Sequence, residues 1–105
     1  MSGLQLSILI PSKDRKQIVE NCLQHCLQAI KGVAAEIIVV NDSKTSDLQL
    51  SFSSEKIKIF NNPKSGVASA RNYAVTKAQG ELLLFLDDDM LIFEENIQST
   101  LSLHS

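Results

Sequence analysis

The sequence lacks what several kinds of protein require. It has no apolar run near the ~20 residues that cross a bilayer; the longest, 82–86, has five. No transmembrane segment is expected. The neutral opening, residues 1–3, carries no signal-peptide pattern, so a cytoplasmic, reducing setting is the expectation. Tryptophan is absent, and the one tyrosine (Tyr73) and four phenylalanines are expected in the core rather than as stacking platforms. An excess of positive charge is missing too: the net charge is −2, which gives no electrostatic case for a nucleic-acid partner. Cysteine is limited to Cys22 and Cys26, with His25 between them. That string resembles a zinc motif, but both cysteines fall on the apolar stripe of one helix, His25 falls off it, and no fourth ligand is evident. Buried free thiols are expected instead. There is no internal repeat, linker or low-complexity stretch.

What is present suits one small packed domain. A length of 105 residues allows a single domain at most, and 44% hydrophobic with 21% charged residues excludes disorder. Strands and helices alternate. A strand is predicted over 4–10, stopped by Pro11. An amphipathic helix follows over 16–31, with Val19, Cys22, Leu23, Cys26, Leu27 and Ile30 at three-four spacing, Asp14 near its N-cap and Gly32 as its stop. A β-branched strand is predicted over 36–40, a weak helical centre over 48–52, and a third strand over 56–60. A small-residue helix over 66–79 carries Ala68, Ala70, Ala74 and Ala78. A fourth strand over 81–86, apolar on both faces, is predicted to lie mid-sheet between helices, and a last helix covers 94–103. His104, beyond it, is expected in solvent. The pattern gives an α/β fold: a Rossmann-like, mostly parallel sheet of about four strands with flanking helices.

Parallel sheets of this kind bind ligands at the carboxyl ends of their strands, where strand order reverses. Pro11, Ser12, Lys13, Asp14 and Arg15 follow the first strand, Asn41, Asp42 and Ser43 the second, and Asp87, Asp88 and Asp89 the fourth. Residues 81–105 hold six acids and no lysine or arginine, while residues 1–80 hold six acids and ten bases. Three adjacent carboxylates repel one another, so a cation is their natural partner. Oxygen ligands favour Mg²⁺ or Mn²⁺, which takes one or two carboxylates and fills its shell from water and phosphate. In extended backbone Asp87 and Asp89 would point one way and Asp88 the other. An acidic turn capping the next helix is the plainer alternative, and Asn-Asp-Ser at 41–43 is also ordinary turn chemistry.

Four segments together resemble the N-terminal, nucleotide-binding half of family 2 inverting glycosyltransferases, which have the GT-A fold. They are SILIPSKDR at 7–15, EIIVVNDS at 36–43, GVASARN at 66–72 and ELLLFLDDD at 81–89, the last ending in a D-x-D motif. The resemblance implies that Pro11 and Ser12 contact the nucleoside and that Asp42 accepts a base N–H, favouring a UDP-sugar. It places Arg71 near the diphosphate, Asp87 near the ribose or sugar and able to serve the metal, and Asp88 along the nucleotide site. Asp14 joins that site through the first loop. Asp89 would bind the divalent metal, Mn²⁺ or Mg²⁺. The sequence departs from the family pattern at Lys13, where an aromatic usually covers the base, and at Asn41, which replaces the first Asp of its turn.

The family's general base lies beyond the D-x-D segment, and only sixteen residues follow Asp89. Residues 1–105 are therefore expected to be the donor-binding half, with the acceptor-binding half missing, inactive or weakly active alone, and with the acceptor unidentified. An exposed sheet edge and self-association as a homodimer follow from the same reasoning. Two other functions fit the pattern less fully. LFLDDDMLI resembles a haloacid-dehalogenase phosphotransferase motif, although such a motif opens its domain. A non-catalytic acidic α/β binding module would resemble a receiver domain, but no lysine falls at a late strand end.

Overall fold

The computed structural model describes residues 3–103. Four strands, β1 (Leu6–Ser12), β2 (Ala35–Asn41), β3 (Ile57–Asn61) and β4 (Leu82–Phe85), form one all-parallel sheet in the order β3-β2-β1-β4. Three helices, α1 (Lys16–Ala29), α2 (Val67–Lys77) and α3 (Glu94–Leu103), cover it. The α/β class and the strand count match the sequence reading. His104 lies outside the described residues.

Period two in the strands sorts the core into two layers. Leu6, Ile8 and Ile10 of β1 and Ile37 and Val39 of β2 face α1 and α3, packing on Val19, Cys22, Leu23, Cys26 and Ile97. Leu9, Ile38 and Val40 face the other way, onto Ala70 and Ala74 of α2. The small side chains bring that helix close to the sheet, as their spacing suggested. Cys22 and Cys26 are both buried and free. A hydrogen bond with Cys22, and after it burial, pushes the Cys26 thiol far up, so it stays protonated.

Several boundaries differ from expectation for identifiable reasons. Pro11 does not end β1, which runs on to Ser12. The Leu9 carbonyl accepts from Leu86 and the Ser12 carbonyl from Asp42. Alternation therefore turns the Pro11 nitrogen to the β4 side, past the end of β4, where no ladder bond is needed. Asp14 is not the helix cap: Arg15 holds that place, and Asp14 adopts φ 54°. Residues 48–52 are not helical. Leu48, Leu50 and Phe52 alternate, and all three lean on the α1-side core.

The largest difference concerns β4. Among the described residues it closes the sheet beside β1 rather than lying mid-sheet. Leu82 and Leu84 pack on the core. Leu83 and Phe85 face the α2 side, but α2 packs chiefly over β1 and β2 and leaves them partly uncovered, so Phe85 is 47% exposed. Met90, Leu91 and Phe93 are exposed too, and Phe93 meets His25 of α1 edge to face, with ring centroids 5.6 Å apart. Phe85 and Phe93 are thus not core residues, while Phe60 and Tyr73 are half-buried and meet edge to face.

Behind the site, at the amino end of the sheet, Glu36 is buried on the α2 side. Its carboxylate accepts from Ser7 Oγ (2.6 Å), Lys58 Nζ (2.8 Å) and the Gln79 N–H (2.6 Å). Burial alone would raise its pKa. The bonds from Lys58, Ser7 and Gln79 outweigh that and hold it below the ordinary value. Gly80 closes the same knot by donating its N–H to Ser7 Oγ.

Candidate functional site

The chain order reverses between β1 and β4, since β1 leads to β2 on one side and β4 docks on the other. A cavity of about 290 Å³ opens there, at the carboxyl ends of the strands. Pro11, Ser12, Asp42, Asp87, Asp88 and Asp89 line it, together with Lys13, Arg15 and Val67. Six of the sequence-derived candidates thus meet at one place. Arg71 reaches it from α2 through Asp87. Asp14 borders a neighbouring cavity of about 320 Å³ instead, with Asn41 and Asp47.

Each carboxylate is set by a different element. Strand alternation continues one residue past Leu86, so Asp87 turns to the α2 side and meets Arg71 Nη2 at 3.2 Å. Asp88 turns to the α1 side and is buried. One of its oxygens accepts from Ser12 Oγ (2.8 Å) and the other pairs with Arg15 Nη1 (3.1 Å). The chain then turns, with the Met90 N–H on the Asp87 carbonyl, and Asp89 lies 3.6 Å from Arg15 Nη2. Because residues 88–89 form a turn rather than extended backbone, Asp87 and Asp89 do not share a side. Asp87 goes with Arg71, Asp89 with Arg15. Beneath the turn, Cys22 Sγ donates a long bond (3.9 Å) to the Asp87 carbonyl.

Asp42 continues β2 by donating its N–H to the Ser12 carbonyl. Its carboxylate accepts from Asn62 Nδ2 (2.8 Å) and from the Gly66 N–H (3.1 Å to the nearer oxygen). Gly66 sits at φ 104°, a conformation that favours glycine and turns its N–H toward Asp42 at the start of α2. A carboxylate accepts about four bonds, so Asp42 keeps capacity for a ligand donor. Asn41 is taken up by structure: it binds the Ser46 carbonyl and Asn61, tying the ends of β2 and β3.

The donor set is compatible with a hard divalent cation. Asp87 and Asp89 have side chains 58% exposed, so each can offer oxygen. Among the described residues no three acid, histidine or cysteine side chains converge on one point. The protein could supply one or two carboxylates and a nucleotide the rest, the pattern usual for Mg²⁺.

The residue that sequence reasoning underrated is Arg15. It belongs to the first motif, yet the resemblance assigns it no role. The signal that could have singled it out is charge: it is the arginine nearest the end of β1, facing a strand end with three acids.

A parallel α/β sheet with polar loops converging at its switch point defines a Rossmann-like α/β architecture. The sequence profile of glycosyl transferase family 2 matches residues 7–104, and the chain belongs to that family. An uncharacterized glycosyltransferase of Haemophilus influenzae is 33% identical over 98 residues, covering 91% of this chain and 33% of that protein. One of Rickettsia conorii is 28% identical over 108 residues, covering 93% of this chain and 17% of the relative. The Campylobacter jejuni GalNAc(5)-diNAcBac-PP-undecaprenol beta-1,3-glucosyltransferase is 30% identical over 92 residues, 81% of this chain and 29% of that enzyme. The chain thus spans between 17% and 33% of the length of these relatives. Staphylococcus aureus TarS 1-349 in complex with UDP-GlcNAc superposes with a TM-score of 0.77 at 23% identity, over 94% of this chain and 30% of that one. This likeness establishes the GT-A fold. No helix of the described residues is long and apolar enough to cross a membrane.

Proposed function

We propose that the 290 Å³ cavity binds a nucleoside diphosphate sugar, in the first instance a UDP-sugar, with Mn²⁺ or Mg²⁺, as the donor for transfer to an acceptor hydroxyl. One observation carries this reading: Ser12, Asp42 and the three D-x-D carboxylates border one cavity at the switch point, in a chain of this family. The UDP-GlcNAc held by TarS supports it. Pro11 and Ser12 would border the nucleoside, and Asp42 would accept a base N–H. Arg71 would face the diphosphate, and Asp87 the ribose or sugar. Asp88, with both oxygens engaged, shapes the site by holding Ser12 and Arg15. Asp89 would hold the metal, with Asp87 available to it. A bound cation would supply Lewis-acid relief of charge on the leaving diphosphate.

Thermal unfolding with Mn²⁺ and UDP, GDP or dTDP tests the reading. The melting temperature should rise with Mn²⁺ and UDP together. Asp89→Ala should lose the rise while melting normally without ligand, because its side chain is exposed. No rise with any pair in the unaltered protein rejects the site. We also propose that the general base and acceptor site come from outside these 105 residues; robust sugar transfer by the chain alone would contradict this. Self-association through the exposed apolar side chains Leu83 and Phe85 of β4 is part of the same proposal. Light scattering should report a dimer, and a monomer at high concentration counts against it.

A further inference from the structure

Arg15 touches two of the three D-x-D carboxylates. It places Nη1 3.1 Å from Asp88 and Nη2 3.6 Å from Asp89, the proposed metal ligand. The Asp88 contact is the firmer one: that carboxylate is buried and takes Ser12 Oγ on its other oxygen, so the guanidinium is anchored there. The Asp89 contact is longer and lies in solvent, at a side chain 58% exposed. One guanidinium thus holds a fixed acid with one arm and rests near a replaceable acid with the other. All three side chains border the same cavity.

We propose that Arg15 is a positioning residue that occupies the cation's place at Asp89, so that divalent metal binds tightly only together with the nucleotide. This rests on the donor-site reading above. A metal ion arriving alone at Asp89 meets a positive charge anchored a few ångströms away, and must displace or tolerate it. A nucleoside diphosphate brings the negative charge that lets metal and guanidinium share the cavity. Metal and nucleotide are then thermodynamically coupled, and by linkage each tightens the other to the same degree. The device also lowers the repulsion between Asp88 and Asp89 in the free protein by placing one positive charge between them.

Calorimetric titration separates this role from simple structural support. Mn²⁺ is titrated into the protein alone and into the protein saturated with UDP. The unaltered chain should bind Mn²⁺ at least about tenfold more tightly with UDP present, within the usual range of coupling. Arg15→Gln should bind Mn²⁺ alone about tenfold more tightly than the unaltered chain, and its coupling to UDP should shrink by the same factor. Damage to the fold would weaken every affinity and strengthen none, so the gain is diagnostic. Where circular dichroism shows that Arg15→Gln does not fold, Arg15→Lys decides, since an ammonium cannot span both carboxylates. It should bind Mn²⁺ alone at least about threefold more tightly than arginine does. Unchanged Mn²⁺ affinity in the folded variant, with Mn²⁺ and UDP binding intact in the parent, overturns the role of Arg15 alone. If the parent binds neither, the donor-site reading fails and this proposal with it.

Discussion

Replacing Gly80 by alanine is expected to lower stability by about 3 kcal/mol or more, because overpacking against backbone cannot be relieved by a rotamer change. A β-carbon there would lie 2.5 Å from the Leu6 carbonyl carbon, 2.6 Å from the Ser7 nitrogen and 2.7 Å from Ser7 Oγ. All three belong to the first two residues of β1, an interior strand whose ladders to β2 and β4 leave no room to retreat. The segment from α2 into β4 must move instead, which strains the Gly80 bond to Ser7 and the approach of Gln79 to Glu36. Urea unfolding provides the measurement. A loss under about 1 kcal/mol would show that the segment shifts freely and that the close approach is not a constraint.

Glu36→Leu is expected to cost about 3 kcal/mol, since a buried polar knot that loses its centre leaves several groups unpaired. The Ser7 hydroxyl, the Gln79 N–H and the Lys58 ammonium would all lose their acceptor. The half-exposed lysine can turn to water, so most of the loss comes from the other two. The pH dependence has a definite sign. The native pKa of Glu36 is held below its ordinary value of 4.5. Its contribution is therefore complete above that value and is lost as pH falls through the lower native pKa. Stability measured from about pH 6 to pH 3 should fall more steeply for the parent than for Glu36→Gln. Parallel curves would mean that the carboxylate gains nothing from its three donors.

Much of this fold is legible in the sequence because burial writes itself as pattern. The β-branched run of β2 and the three-four stripe of α1 each encode their contacts within one element. The four segments that identify the family also bring most of the candidate site residues with them. What is not legible is relational. Leu82–Leu86 has the same composition whether it is covered on two faces or on one. Only the placement of α2 over β1 and β2 decides that Leu83 and Phe85 face outward. Alternation likewise predicts Asp87 and Asp89 on one side, and a turn two residues long reassigns Asp89 to Arg15. Pro11 reads as a stop because the sequence does not say which flank of β1 lacks a partner at that level. In each case the deciding contact comes from a distant segment.

That distance has a consequence for how the site comes to exist. Ser12 and Asp88, joined side chain to side chain, are 76 residues apart in the chain. The cavity has one wall from the first strand and another from the last, so nothing short of docking β4 can assemble it. Such a long loop must close before its contacts return any free energy, so this step is expected late in folding. A ligand that bridges the two walls acts as a clamp on that closure. Its stabilising effect therefore measures, beyond affinity for the cavity, how firmly the final quarter of the chain is fastened to the rest.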